Sequence, residues 1–294
     1  MTKRTPLYIL INGLILAFAL YLFLKHDDHE TIFAQQTYWE IGLFLVTALV
    51  VQFIKALRLY VALYGATFSI RSYIKTYCKV TPVCLLFPYK LGEFFRIYCY
   101  GELIHDFLRG TVIVILDRFM DTSALLTLLL GFYFFSAGQF PPLVLLLAVV
   151  WGLILLGYYL FPGFYRFRRY YYLSVPASAH TLWILRQFAR MNLVYQEAAQ
   201  VAHGRGMLLY ILSLMAWGIE LLNLALVTKM PSAIRLQQQI TNYMSAALTN
   251  GNSLPLQRFI TASIILLLGM YIVLKLSGIL QHKKGKNHEN NHCI

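Results

Sequence analysis

The sequence predicts an all-α polytopic membrane protein, with about six transmembrane helices and two re-entrant segments. Three observations predict it. Hydrophobic residues make up 59% of the chain and charged residues 13%, and the mean hydropathy is +0.62; soluble domains do not have this composition. Apolar stretches of bilayer length recur along the 294 residues. Lys and Arg gather in alternate connections, as they do on the cytoplasmic side of membrane proteins.

The elements follow in order. Residues 7–24 form the first apolar stretch, preceded by Lys3 and Arg4. It is long and has no small-x-small cleavage site, so it reads as a retained signal anchor. The next connection carries Lys25, Asp27, Asp28 and Glu30 and is expected outside. Residues 39–63 form the second span. Lys55 and Arg58 near its end can snorkel to a headgroup layer. Arg71, Lys75 and Lys79 follow on the cytoplasmic side. Residues 111–135 and 143–161 are spans joined by a connection without basic residues. Residues 164–205 hold Arg166, Arg168, Arg169, Arg186, Arg190 and Arg205, and read as cytoplasmic. Within them, residues 181–200 predict a separate amphipathic helix along the inner headgroups. Residues 207–227 and 259–280 complete the spans. The expected organisation is one membrane domain, 1–280, and a disordered cytoplasmic tail, 281–294. Both termini are expected to be cytoplasmic, in a cell (inner or plasma) membrane.

Two segments neither span nor stay out. Residues 72–109 are too polar for a span and too apolar for a loop. Pro82 and Pro88 are expected to interrupt any helix there, and both flanks belong on the cytoplasmic side. A broken hairpin dipping in from that side satisfies these constraints. Residues 231–257 pose the same problem from the other face, with Pro231, Asn250-Gly251-Asn252 and Pro255. The alternative is an amphipathic surface helix over residues 240–248. Two interrupted segments of opposite orientation have the arrangement of an inverted-repeat transporter, though no sequence repeat is visible.

The candidate site comes from misplaced charge. The chain has twelve acidic residues. Glu93, Asp117, Asp121 and Glu220 fall where hydrocarbon is expected, and intramembrane charge is costly enough to be functional by default. Glu93 and Arg96 are three residues apart. Asp117 and Asp121 are four apart, with Arg118 alongside, so each set shares a helix face. A structural ion-pair network is the alternative. Arginine forks suit phosphate and lysine is a mobile point charge. Lys90, Arg96 and Arg118, with Arg58, are therefore candidates for an anionic ligand. Glu93, Asp117 and Asp121 can orient these donors, bind a proton or bind a cationic headgroup. Gly92 permits close backbone approach.

These residues carry a resemblance. The run Pro88-x-Lys90-Leu91-Gly92-Glu93-x-x-Arg96, then Arg109-Gly110, then Asp117-Arg118-Phe119-x-Asp121, resembles the signature of the lysylphosphatidylglycerol synthase transmembrane region, the flippase-like family. Arg58-Leu59-Tyr60 before Gly65 resembles its Arg-Trp ending of an early span. Trp217-Gly218-Ile219-Glu220 resembles its Trp-x-x-Glu span. Asp117 stands where Glu is usual. The later Pro-Gly-x-Leu-Gly-x-x-Glu element of the family is replaced by Asn250-Gly251-Asn252-Ser253-Leu254-Pro255, without an acid. The resemblance implies transbilayer movement of a polar-headed lipid: a phospholipid, a glycolipid or a polyprenyl-phosphate sugar. It implies a substrate-binding role for Trp217 and Glu220. No aminoacyl-transferase domain is present, so lipid aminoacylation is not expected.

Other signals are bland. The net charge of +13 is accounted for by basic loops beside anionic lipid, and no nucleic-acid pattern is visible. His288, His292 and Cys293 read as a polar tail rather than metal ligands. No Walker motif, nucleophile elbow or zinc motif is found, so no cofactor and no enzyme activity is expected. The other function classes are an accessory subunit or enzyme of glycolipid and envelope synthesis, and an ion or small-solute transporter. A glycosyltransferase or synthase partner and a homo-oligomer both remain open.

Overall fold

A computed structural model describes residues 13–15, 17, 18, 21, 37–87, 91–136, 142–174, 179–227, 239, 240, 242, 243, 246 and 254–290. The described residues are all-helical, with no strand among them. The helices are α1 (Tyr38–Leu63), α2 (Ile70–Leu86), α3 (Leu91–Ile104), α4 (Phe107–Ser136), α5 (Pro142–Ser174), α6 (Ala179–Val227) and α7 (Leu254–Asn290). Four stretches, Tyr38–Leu63, Val144–Ser174, His180–Leu226 and Pro255–Ser277, are helical, long and apolar enough to cross a membrane. These four correspond to expected spans 39–63, 143–161, 207–227 and 259–280. The expected span 111–135 lies within α4, which is not one of the four. Most of residues 7–24, the connections at 25–30 and 137–141, and the greater part of 231–257 lie outside the described residues.

Local chemistry sets the helix ends. The Thr37 N–H donates to Glu40 Oε2 at 3.3 Å at the start of α1. At its end Gly65 takes φ +92°, a conformation suited to glycine. Arg205 of α6 donates to the Tyr64 carbonyl at 2.6 Å, a cation on the terminal carbonyls of α1. Ser69 Oγ caps α2 by accepting from the Ser72 N–H at 3.2 Å. Asp106 Oδ1 accepts from the Arg109 N–H at 3.0 Å at the start of α4.

The polar segment 72–109 folds as a hairpin of two short antiparallel helices. A break at Pro82 was expected, but Pro82 lies inside α2, which runs on to Leu86. Near the end of a helix one missing N–H is tolerated, and the chain turns after Leu86 instead. Pro88 and Lys90 lie outside the described residues. The two helices approach closely. A Cβ on Gly92 would stand 2.5 Å from Cys84 Cα. The α3–α4 crossing is as tight, since a Cβ on Gly110 would stand 2.7 Å from Gly101 Cα.

A separate headgroup helix over residues 181–200 was expected. Instead these residues are continuous with the following span in α6, a single helix of 49 residues. The Gly204-Arg205-Gly206 stretch between the two is helical. Gly206 sits against Met120 of α4, and Arg205 is held by α1. The first part of α6 pairs with α5 through rings, with Tyr158–Tyr195 at 5.2 Å and Phe164–Phe188 at 5.9 Å. α5 itself runs through Pro162. α7 carries helical backbone through residues 281–290, the stretch read as a tail.

Apolar packing is split. One cluster gathers Leu59, Tyr73, Tyr77, Tyr100 and Ile113; another gathers Leu125, Leu129, Trp217, Leu224 and Tyr243. Along α4 the charged residues Asp117 and Asp121 fall between these layers. Ile240, Tyr243 and Ala246 are buried in or beside the second cluster, so this part of segment 231–257 turns one face into the bundle.

Candidate functional site

The sequence places acids and arginines on four helices, and the fold brings them to one junction of α1, α3, α4 and α6. Asp117 is its centre and is fully buried. Its Oδ1 accepts from Arg58 Nε at 2.7 Å. Its Oδ2 accepts from Arg96 Nη2 at 2.7 Å and from Arg118 Nη2 at 3.3 Å. Arg58 Nη1 also donates to Asp121 Oδ1 and, at 2.8 Å, to Ser213 Oγ. Glu93 closes the outer edge. It lies 3.6 Å from Arg96 Nη1 and 3.5 Å from Arg118 Nε.

Helix periodicity explains the assembly. Asp117 and Asp121 are one turn apart on α4, Glu93 and Arg96 one turn apart on α3, and Lys55 and Arg58 one turn apart on α1. Gly92 lets α3 lie against the backbone of α2, which fixes where Glu93 and Arg96 stand. Tyr73, Tyr77 and Tyr100 are nearly fully buried in the layer on the other side, which excludes water from Arg96.

From the sequence Lys55 and Arg58 can snorkel to a headgroup layer, and Arg58 is also a candidate for the charged site. Both turn inward. Arg58 is 1% exposed, because carboxylates on neighbouring helices offer stronger partners than a distant headgroup layer. Lys55 Nζ donates to Glu220 Oε2 at 3.3 Å and lies 5.3 Å from the Trp217 ring and 5.6 Å from that of Phe259. The Tyr243 hydroxyl donates to Glu220 Oε1. Lys55 also acts electrostatically on Asp121. Trp217 and Glu220 thus form a second pole, joined to the first by Lys55.

Sequence reasoning singled out Arg58, Glu93, Arg96, Asp117, Arg118, Asp121, Trp217 and Glu220, and these lie in the two joined poles. Lys90 lies outside the described residues. Reasoning from sequence missed Lys55, Ser213 and Tyr243. Lys55 carried a usable signal, its one-turn spacing from Arg58 on an apolar helix. Ser213, one turn before Trp217 and two before Glu220 on α6, carried another. Tyr243 carried none.

The charges balance. Lys55, Arg58, Arg96 and Arg118 face Glu93, Asp117, Asp121 and Glu220. The partners are unequal in number. Among the described residues Asp117 contacts three guanidinium groups, whereas Glu220 contacts a single ammonium. Between buried groups such a contact carries about 4 kcal/mol of Coulomb energy at 4 Å for an effective dielectric constant near 20, and far less at the half-exposed Arg118. The Asp117 pole is therefore the rigid one. Arg118 is its accessible member, at 43% side-chain exposure against 1% for Arg58 and 7% for Arg96. No group of three metal-ligating side chains occurs among the described residues.

Such a site can hold charge within an apolar bundle, present one guanidinium at its edge, and exchange one ion pair for another at low net cost. Comparison with protein-family models, with curated proteins and with solved structures gives no match.

Proposed function

We propose that this protein moves a lipid with an anionic or sugar-bearing headgroup between the two leaflets of a cell membrane. The observation that carries the reading is Arg118: a guanidinium at the edge of a buried, charge-balanced network, bonded to Asp117 yet 43% exposed. A phosphate reaching Arg118 would exchange one anion for another on the same donor, which limits the desolvation cost of entry. Glu93 and Asp121 flank Arg118 and aim it. Arg58 and Arg96 hold Asp117 in place.

The topology supports the reading. α2 and α3, of 17 and 14 residues, are about 26 and 21 Å long, shorter than the roughly 30 Å hydrocarbon core. Arg109 and Arg205 converge on Gly65, just past the end of α1, and Arg71 and Lys75 follow on α2, a basic grouping that suits the cytoplasmic side. The α2–α3 hairpin is then re-entrant from the cytoplasm and carries Glu93 and Arg96 into the membrane. The resemblance of residues 88–121 to the flippase-like family implies the same activity.

The test is reconstitution in liposomes with labelled phospholipid, glycolipid and polyprenyl-phosphate lipids, followed by leaflet exchange. Exchange above that of empty liposomes, lost in Arg118→Gln, supports the reading. Exchange equal to empty liposomes for every headgroup, with the wild-type protein correctly folded, overturns it.

A further inference from the structure

Among the described residues the buried network is electrically neutral, with four cationic and four anionic side chains. A phosphate-bearing headgroup adds a negative charge to a site shielded from water. An uncompensated charge there is strongly disfavoured. Entry of the anion therefore calls for a cation to enter with it, and the simplest is a proton on one of the four carboxylates.

The geometry selects which one. Asp117 is bound by Arg58, Arg96 and Arg118. Asp121 is bound by Arg58 and approached by Arg118. Glu93 lies near Arg96 and Arg118. Among the described residues Glu220 has one cationic contact, Lys55, at 3.3 Å, and one hydroxyl, that of Tyr243. Around it α1 presents Lys55, residue 243 presents its phenol, and α7 presents the Phe259 ring, next in sequence to Arg258, on which Glu40 acts electrostatically. On α4, Asp121 lies within electrostatic reach of Lys55. Glu220 is 3% exposed, while Lys55 is 21% exposed, so the pair is buried at the acid and accessible at the base.

We propose that Glu220 is a proton-binding site coupled to headgroup entry, with Lys55 as the counter-ion that it releases. The proton comes from hydronium in the aqueous phase: its O–H bond breaks as the O–H bond at Glu220 forms, and neutral water is left behind. Lys55, freed of its partner, is left with Asp121 as the next carboxylate on which it acts. Pairing there competes with Arg118 for Asp121 and loosens the longest of the three carboxylate contacts that hold the Arg118 guanidinium, which eases its turn toward the phosphate. The net charge of the loaded site returns to zero. This inference rests on the lipid-transfer reading and supplies its energy source, one proton moving with each singly charged headgroup.

The test uses the full chain in liposomes containing a labelled anionic phospholipid. A gradient of one pH unit, at one proton per lipid, should drive a leaflet ratio of about tenfold, which a protonophore returns to unity. Glu220→Gln should lose the response to the gradient. Lys55→Met/Glu220→Gln removes the pair as a unit, keeps the network neutral, and should behave the same way if the fold of the single variant is impaired. Infrared difference spectra on lowering the pH should show a protonated-carboxyl band in the wild type that is absent from Glu220→Gln. Exchange that proceeds with a ratio of unity under every gradient overturns the coupling and leaves the lipid-transfer reading standing. Absence of any exchange overturns the lipid-transfer reading, and the infrared band alone then decides whether Glu220 takes up a proton.

Discussion

Arg58 Nε and Asp117 Oδ1 meet at 2.7 Å with both side chains almost wholly out of reach of solvent. They belong to helices far apart in sequence, so their pairing fixes how α1 lies against α4. The pair is the point from which the other charges of the bundle are placed.

Breaking it from one side should be severe. Asp117→Ala leaves Arg58 and Arg96 buried without their shared acceptor, and should cost about 3–5 kcal/mol. Thermal unfolding in detergent should show a lowered midpoint. An unchanged midpoint would mean that the arginines find other partners at no loss.

Arg118→Gln should separate stability from activity. The side chain is 43% exposed, so solvent screens its contacts to Asp117, Glu93 and Asp121, at 3.3, 3.5 and 3.9 Å. Its loss should change stability by under about 1 kcal/mol. Lipid exchange should fall to the level of empty liposomes. A large drop in unfolding midpoint alongside unchanged exchange would reverse the roles assigned to Arg118 and Arg58.

Gly92→Ala tests the hairpin. The new methyl would stand 2.5 Å from backbone, which cannot swing away as a side chain does. Separating α2 from α3 should cost about 1–3 kcal/mol and shift Glu93 and Arg96. Gly131→Ala is the control, since nothing lies within 4 Å of its Cβ position. It should be neutral or slightly stabilising, by up to about 1 kcal/mol. Parallel melting curves of the two variants read the difference.

Arg205→Ala should loosen the end of α1. Its guanidinium donates to the Tyr64 carbonyl at 2.6 Å and lies over the Tyr64 ring at 5.1 Å. The expected loss is about 1–2 kcal/mol. Hydrogen exchange of the amides near residues 61–64 should quicken while that of the α4 amides near Asp117 is unchanged.

Much of the central pole was legible because helix spacing puts Glu93 with Arg96 and Asp117 with Asp121 whatever the tertiary structure. Which acid meets which base was not, since that depends on helix order and on crossings set by Gly92, Gly101 and Gly110. Lys55 shows the limit most clearly. Near the end of an apolar helix a lysine reads as an outward anchor, and only Glu220, far along the chain, turns it inward. Helix continuity was misread for a related reason. Gly204 and Gly206 weaken a helix in isolation, yet Arg205 is tied to α1 and Gly206 rests on Met120, so packing carries α6 through. Pro82 likewise stays helical where local rules place a break.

The length of α6 has a mechanical consequence. Glu220 and Ala179 lie on one unbroken helix, roughly 60 Å apart at 1.5 Å per residue. A helix that tilts about Glu220 by about 5° would sweep its far end through roughly 5 Å. Loss of a single ion pair at residue 220 would thus be geared up into a displacement of the α5–α6 arm large enough to follow with a pair of spin labels.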